Sequence, residues 1–386
     1  MNSYDFFSSS TRDDPYPVFD QLREHDPVYR TDFGYWYVSR YEEATTLLRD
    51  ARLIAGQGVP DSMGLRDGPI RDVMDAWMMA VDGESHARTR RLISRAFTPR
   101  AVEAMRPAIT DLADRLVADL VASGGGDVIP SLAFPLPMEV VRLLFGVSSE
   151  RWTERVTAVF DPRRETAPAG FLGQMESLIA FFVELIPERR NDPGDDVFSS
   201  LFTEGDNGER LTDAELVANA VLLVTAGFET TMSLITLAVR TLLMHPEQWE
   251  LLRADRKFLR QTVDEVLRFE PAALSTTRYT TVDVEVLGIT IPAGSNVLFS
   301  VAAANRDPRR YADPGRFDIT RSDIRPITFG GGAHVCIGAA LAKMETEIVL
   351  SALLDGAPNL RLSSDQCTWQ ANNPTIRRPA TLEVKA

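Results

Sequence analysis

Phe329-Gly330-Gly331-Gly332-Ala333-His334-Val335-Cys336-Ile337-Gly338 is the stretch on which the reading of this chain turns. Glycines dominate it, and a long apolar segment follows and stops at Gly356, with Pro358 two residues beyond. That ending is a helix C-terminal signal, so Cys336 stands at the mouth of the last long helix. Free backbone N–H groups and the positive end of the dipole at such a position favour a thiolate over a thiol. The glycines let the backbone turn tightly and approach the sulfur with no Cβ in between. An isolated cysteine is by default a buried structural residue. Here the frame argues for a sulfur that binds something. Cys367, the second cysteine, has no such setting and reads as structural.

The rest of the composition narrows what can be bound. The chain has 386 residues, 44% hydrophobic and 25% charged, as in a compact globule able to enclose a large group. Forty-one basic and 55 acidic residues leave a formal net charge of −14, which argues against general nucleic-acid or anionic-membrane binding. Two cysteines make neither a disulfide framework nor a C-x-x-C metal pair, and His25, His86, His245 and His334 show no H-E-x-x-H spacing. The N-terminus lacks a signal-peptide pattern, and the most apolar run, Val217 to Phe228, holds Asn219 and is short for a membrane span. A cytoplasmic location is expected.

Helical periodicity prevails, with strands at the edges. Helices are expected over 16–26, 41–50, 85–97, from Thr98-Pro99 to about 122, and over 259–269. Strands are expected at 35–38, 282–286 and 296–300, and 51–80 reads as irregular. The clearest helix start is Leu211-Thr212-Asp213-Ala214-Glu215-Leu216, a capping box with a hydrophobic staple. Apolar residues continue past Leu242 on nearly every face, which predicts a helix of about 30 residues through the interior. No repeat or linker is evident, so residues 1–386 read as one domain.

The stretch 329–338 resembles the haem-binding signature of the cytochrome P-450 superfamily, in which Phe, Gly, Gly, His, Cys and Gly are specified. Here these are Phe329, Gly330, Gly332, His334, Cys336 and Gly338. A chance match in a chain of this length is on the order of one in a million from average residue frequencies. The resemblance runs from Asp14-Pro15-Tyr16-Pro17 to the C-terminal strand. It implies a mainly α fold, a helical prism with small β-sheets, holding haem b (heme b, iron protoporphyrin IX) with Cys336 as iron ligand.

Three further constellations take their meaning from it. Ala226-Gly227-Phe228-Glu229-Thr230-Thr231 looks like the family's oxygen-activation segment, with Ala226 close to the haem and Glu229 and Thr230 relaying protons. Reducing O2 needs protons in a dry pocket, a chemical reason for a polar pair on a buried helix; Thr230 could equally bond back to the carbonyl of Ala226. Phe228 stands where bacterial relatives often have histidine, which implies a narrower or more apolar pocket. The pattern E-x-x-R occurs at Glu103/Arg106, Glu250/Arg253 and Glu265/Arg268. Only the third has the family's context, in which Arg316 completes the ion-pair motif. His86, Arg90, Arg278 and His334 are the implied partners of the haem propionates. Asp82-Gly83-Glu84-Ser85 departs from the usual Asp-Pro-Pro-Glu and puts the path of that loop in doubt.

The resemblance implies a monooxygenase that inserts one atom of O2 into a C–H bond or alkene of a small apolar organic substrate, with a secondary-metabolite scaffold as the expected class. The chain has no G-x-G-x-x-G and no room for a fused reductase, so a separate ferredoxin and its reductase are the expected electron donors. Arg88, Arg91 and Arg95 with Lys343 are candidates for a basic docking patch. Substrate walls are expected from 55–80, 158–178, Thr225 to Glu229, Ala272 to Thr277 and Pro374 to Ile376. Trp77, Met78, Met79 and Phe228 suggest an apolar lining. A peroxide-driven peroxygenase would not need Glu229-Thr230, and a non-catalytic binding module would not need Cys336. Oxidative coupling or desaturation by the same machinery stays open.

Overall fold

A computed structural model of the protein describes all residues except 1–3, 7, 57–64, 66, 161–167, 195, 203–207 and 372–374. Parts of the expected walls 55–80, 158–178 and 374–376 therefore lie outside the described residues. The chain divides into two compact units, Met1–Ile54 with Thr110–Ala133 and Thr230–Ala386, and Ala55–Ile109 with Phe134–Glu229.

The first unit carries every sheet among the described residues. Its largest has the order β1 (Val28–Arg30), β2 (Trp36–Val38), β8 (Asn296–Ser300), β5 (Ser275–Thr280), β3 (Leu53–Ile54). The β2–β8 pair is parallel and the others are antiparallel. Val28, Val38, Leu53, Val297 and Phe299 meet Ile327 in one apolar core, so the sheet backs directly onto the start of the cysteine loop. The helix expected from Thr98-Pro99 to about 122 is two, Pro99–Ala104 and Arg106–Ala122, and the glycines that follow lead into β4 (Gly125–Asp127), which pairs with β10 (Glu383–Lys385), itself paired with β9 (Arg361–Leu362). A Cβ on Gly125 would sit 2.1 Å from the Val384 carbonyl oxygen, so only glycine fits there. The expected strand at 282–286 is shorter, β6 (Val284–Val286), and forms a hairpin with β7 (Ile289–Ile291).

The helices Leu259–Phe269 and Ala339–Gly356 pack together in this unit. Between apolar neighbours on the second lies Glu345, 3% exposed, with Oε2 lacking a hydrogen-bond partner among the described residues. Burial pushes its carboxyl up to about 8. The unfolded carboxyl ionises at ordinary acidity, so between these limits the folded chain holds the extra proton. Raising pH through that window should destabilise the fold by about 1.4 kcal/mol per pH unit, and the contribution is complete only below the unfolded value. Glu345→Gln is expected to flatten the fall in thermal midpoint between pH 5.5 and 8. Equal slopes in the two proteins would show that Glu345 is not a buried neutral acid.

The second unit is helical apart from its connections. It includes Pro69–Asp75, Gly83–Ser94, Pro135–Phe145, Ser149–Arg155 and Pro168–Asn191. Phe145, Trp152, Phe181, Phe182 and Phe198 pack in its core, with Phe145 stacked on Trp152 and the other pairs edge-to-face or tilted. The first of these helices corrects the irregular reading of 51–80. Pro69 at its first turn and the apolar Ile70, Val73 and Met74 mark a helix of seven residues, too short for a period to stand out.

The long interior helix is Asp213–Met244, with 213–229 in the second unit and 230–244 in the first. Its capping box forms: Glu215 N–H donates to Thr212 Oγ1 at 3.2 Å, and Thr212 N–H donates to Glu215 Oε2 at 2.9 Å. At 32 residues it is long and apolar enough to cross a membrane, but 67% of its most apolar window is buried within the protein. Burial of that kind marks a core helix.

Candidate functional site

The cysteine loop is tied down before it turns. Asn305, fully buried, accepts from the Ile327 N–H at 2.9 Å and donates to the Leu267 carbonyl at 3.1 Å and to Thr328 Oγ1 at 2.9 Å. Thr328 Oγ1 donates to the same Leu267 carbonyl at 2.6 Å. One asparagine thus joins the last turn of the helix Leu259–Phe269 to the first residues of the loop. No local pattern in the sequence marks Asn305, because its partners Ile327 and Leu267 lie 22 and 38 residues away.

The loop then closes on itself, the Cys336 N–H donating to the Phe329 carbonyl at 2.9 Å. Gly332 takes φ +68, and a Cβ there would meet the Leu48 carbonyl oxygen at 2.4 Å, so the loop can lie against Leu48 and Arg49 only as glycine. Gly338 caps the helix Ala339–Gly356, and its own Cβ would be 4.0 Å from Cys336 Sγ. Cys336 is exposed, and so is the neighbouring Val335, 41%. His334 is half-buried in the turn Gly332–His334. Phe329 lies under the Lys343 ammonium, 5.7 Å from the ring centre. Cys367 is half-buried against Leu237, Ala272 and Trp369.

Behind the loop stands the third E-x-x-R pair. Glu265 and Arg268 are fully buried and joined by two hydrogen bonds of 2.7 Å. Arg268 also donates to the carbonyls of Asn305, Pro314 and Arg316. Arg316 was expected to complete the motif with its side chain. It contributes only its carbonyl, and its side chain is 66% exposed near Asp318. The second guanidinium at Glu265 belongs to Arg321, 3.5 Å away and 14% exposed. The chain turns between the two arginines, with Asp318 N–H donating to Glu265 at 3.0 Å, and that turn swings Arg321 inward.

The expected proton-relay pair sits in a distinctive stretch of the interior helix. Residues 216–222 and 231–239 are buried, whereas Thr225, Ala226, Gly227, Glu229 and Thr230 keep accessible surface. Phe228 is the exception, 5% exposed and edge-on to Phe134 and Phe160. It packs into an aromatic cluster of the second unit. Val141 is the nearest atom group to a Cβ placed on Gly227, at 3.6 Å. His86 (4% exposed) and Arg90 stand one turn apart on the helix Gly83–Ser94, and so on one face of it. The altered loop before them is held by Asp82, whose carboxylate accepts from the N–H groups of Ala55 and Gly56. Arg278 is buried on β5 and donates to the Thr277 carbonyl at 2.8 Å. Trp77 and Met78 are buried, with Met78 N–H donating to Asn219, while Met79 is 42% exposed.

Three of the four cations expected at a docking patch stand beside acids. Arg88 pairs with Glu215, Arg91 with Glu209 and Lys343 with Asp264. In a chain with 55 acids, cations that look bare in sequence find carboxylates in the fold.

A family model for cytochrome P450 matches residues 171–357. The chain is 37% identical to 6-deoxyerythronolide B hydroxylase of Saccharopolyspora erythraea, over 95% of each chain. The chain belongs to the cytochrome P450 family. It is likewise 37% identical to the cytochrome P450 monooxygenase PikC of Streptomyces venezuelae, over 96% of this chain and 91% of that one. The solved structure of CalO2 superposes with a TM-score of 0.91 at 31% identity, covering 100% of this chain and 99% of that one. The mainly helical P450 fold with small sheets, the monooxygenase class and the haem-thiolate cofactor follow from this membership. The residues present fit that cofactor. A cysteine sulfur stands exposed at a helix mouth beside an exposed valine, and glycines occupy the positions where a Cβ would crowd the Leu48 backbone or lie against the sulfur.

Proposed function

We propose that this P450 is one haem-thiolate monooxygenase domain that oxygenates a small apolar secondary metabolite, with electrons from a separate ferredoxin and its reductase. When bound, the haem supplies the redox chemistry that splits O2. Cys336 would hold its iron, the helix mouth keeping the sulfur anionic. Phe329, Gly338 and Ala226 would flank the ring. His86, Arg90, Arg278 and His334 would take the propionates, which need cationic or hydrogen-bonding partners once out of water. The name of a hydroxylase among the relatives supports hydroxylation, and the acidic chain with its longest apolar helix buried supports a cytoplasmic location.

The observation that carries the oxygenase reading is the accessible surface of Thr225, Ala226, Gly227, Glu229 and Thr230, between the buried runs 216–222 and 231–239 of the interior helix. A carboxyl and a hydroxyl side by side there can pass protons inward while apolar neighbours keep bulk water out. Glu229 takes a proton from outside, and Thr230 Oγ1 holds it at the reacting oxygen. Thr230→Ala is expected to keep haem and the thiolate spectrum but to cut coupled oxygenation by about 10²-fold, within the usual range for general acid–base groups. The missing electrons should appear as hydrogen peroxide. Product formed in step with cofactor consumption in that variant would refute the relay.

A further inference from the structure

Arg377 occupies a position that neither the cysteine loop nor the relay accounts for. Its side chain is 6% exposed, yet each of its three nitrogens has a partner. Nε donates to Glu270 Oε1 at 2.6 Å, while Nη1 and Nη2 donate to the carbonyls of Arg12 and Asp13, where the short helix Ser9–Asp13 ends. The guanidinium lies 3.4 Å over the Trp369 ring. Its main-chain N–H donates to the Ala272 carbonyl at 2.7 Å. Glu270, 8% exposed, has Arg306 as a second cation at 3.8 Å.

Two stretches meet here. Leu274 N–H donates to the Thr375 carbonyl at 2.9 Å, and Ala273 and Ile376 form an isolated antiparallel bridge. So short a ladder fixes register weakly, and a slip of one residue would exchange the faces of Thr375 and Ile376. Burying a charged pair gains little stability over an apolar pair of the same size, whereas a planar fork satisfied in several fixed directions imposes one geometry. Arg377 tolerates a single register, the one in which Ala272 and Glu270 are reached by the same residue.

We propose that Arg377, clasped by Glu270, is a positioning residue that fixes Thr375–Ile376 against Ala272–Leu274 and so sets the shape of the substrate wall. The inference rests on the reading that these two stretches face the substrate beside the haem. It predicts that breaking the clasp changes which bulky molecules fit, while the iron and its sulfur are untouched.

The test uses ferric holoenzyme and two nitrogen ligands read by the Soret shift. Imidazole senses the iron alone; clotrimazole also presses three aromatic rings on the surrounding walls. Wild type should bind clotrimazole far more tightly than imidazole. R377M should lose about tenfold in clotrimazole affinity, the scale of one misplaced apolar contact, with imidazole within about twofold. R377K should resemble R377M, because an ammonium cannot reproduce the fork. E270Q, which keeps the side-chain volume, should fall between and carries the test if R377M does not fold. Affinities that move together for both ligands, or for neither, overturn the clasp. A wild type that binds clotrimazole no better than imidazole sinks the wall reading and the clasp with it.

Discussion

Cys336→Ser protein is expected to fold and to lose the thiolate band of its carbon-monoxide difference spectrum. The loop does not depend on the sulfur for its shape. Asn305 and Thr328 anchor its start, Gly332 lets it lie against Leu48, and the Cys336 bond to Phe329 uses the main chain. A serine hydroxyl at the same place stays protonated at neutral pH, even at a helix mouth, and cannot give the iron the electron density that a thiolate does. The variant should therefore keep its melting behaviour in the haem-free form while oxygenation disappears. Cys367→Ser is the control: that sulfur is half-buried against Leu237, Ala272 and Trp369, and its loss should leave the spectrum as it was. A thiolate band that survives in Cys336→Ser, or vanishes in Cys367→Ser, would move the ligand to the other cysteine.

What could be read in advance was local. The capping box at Thr212–Glu215, the length of the interior helix and the end of the cysteine helix at Gly356 are each written within a few residues. The cysteine loop was legible for the same reason, since its glycines and its ligand lie within ten positions. Partners across the chain were not. Glu265 finds Arg321 and not Arg316, although both arginines lie just ahead of the cysteine loop, because a turn at Asp318 decides which side chain points inward. Arg88, Arg91 and Lys343 stand beside Glu215, Glu209 and Asp264, acids that their own sequence neighbourhood does not point to. Arg377 meets Glu270 across 107 positions, and no period or motif announces it. Glu345 sits on a helix with a sound apolar pattern, and only packing reveals that its face is the buried one.

The three copies of E-x-x-R make a second large effect predictable from burial alone. Glu265–Arg268 is fully buried, while Glu103–Arg106 and Glu250–Arg253 lie at the surface. Arg268→Ala would leave Glu265 as a buried charge with Arg321 as its near cation, would strip the carbonyls of Asn305 and Pro314 of their donor, and would leave that of Arg316 with the longer bond from Arg321 at 3.4 Å. Removing one partner of such a pair costs about 3–5 kcal/mol, a large share of the roughly 5–15 kcal/mol that holds a domain together. Because Asn305 also anchors the cysteine loop, the loss falls on the segment that positions the sulfur. Arg268→Ala should accumulate as aggregated or haem-free protein, and Arg268→Lys should fare little better, since an ammonium cannot reach carboxylate and three carbonyls at once. Glu265→Gln combined with Arg268→Met removes both charges and should recover part of the stability, giving a coupling in a double-mutant cycle. Arg106→Ala and Arg253→Ala should yield holoenzyme as readily as wild type, because solvent already screens those pairs. Haem content per chain after parallel expression reads these variants together with the singles Glu265→Gln and Arg268→Met that close the cycle. Equal haem content in Arg268→Ala and Arg106→Ala would mean that the buried pair is a spectator, and that the loop holds its sulfur by glycine geometry alone.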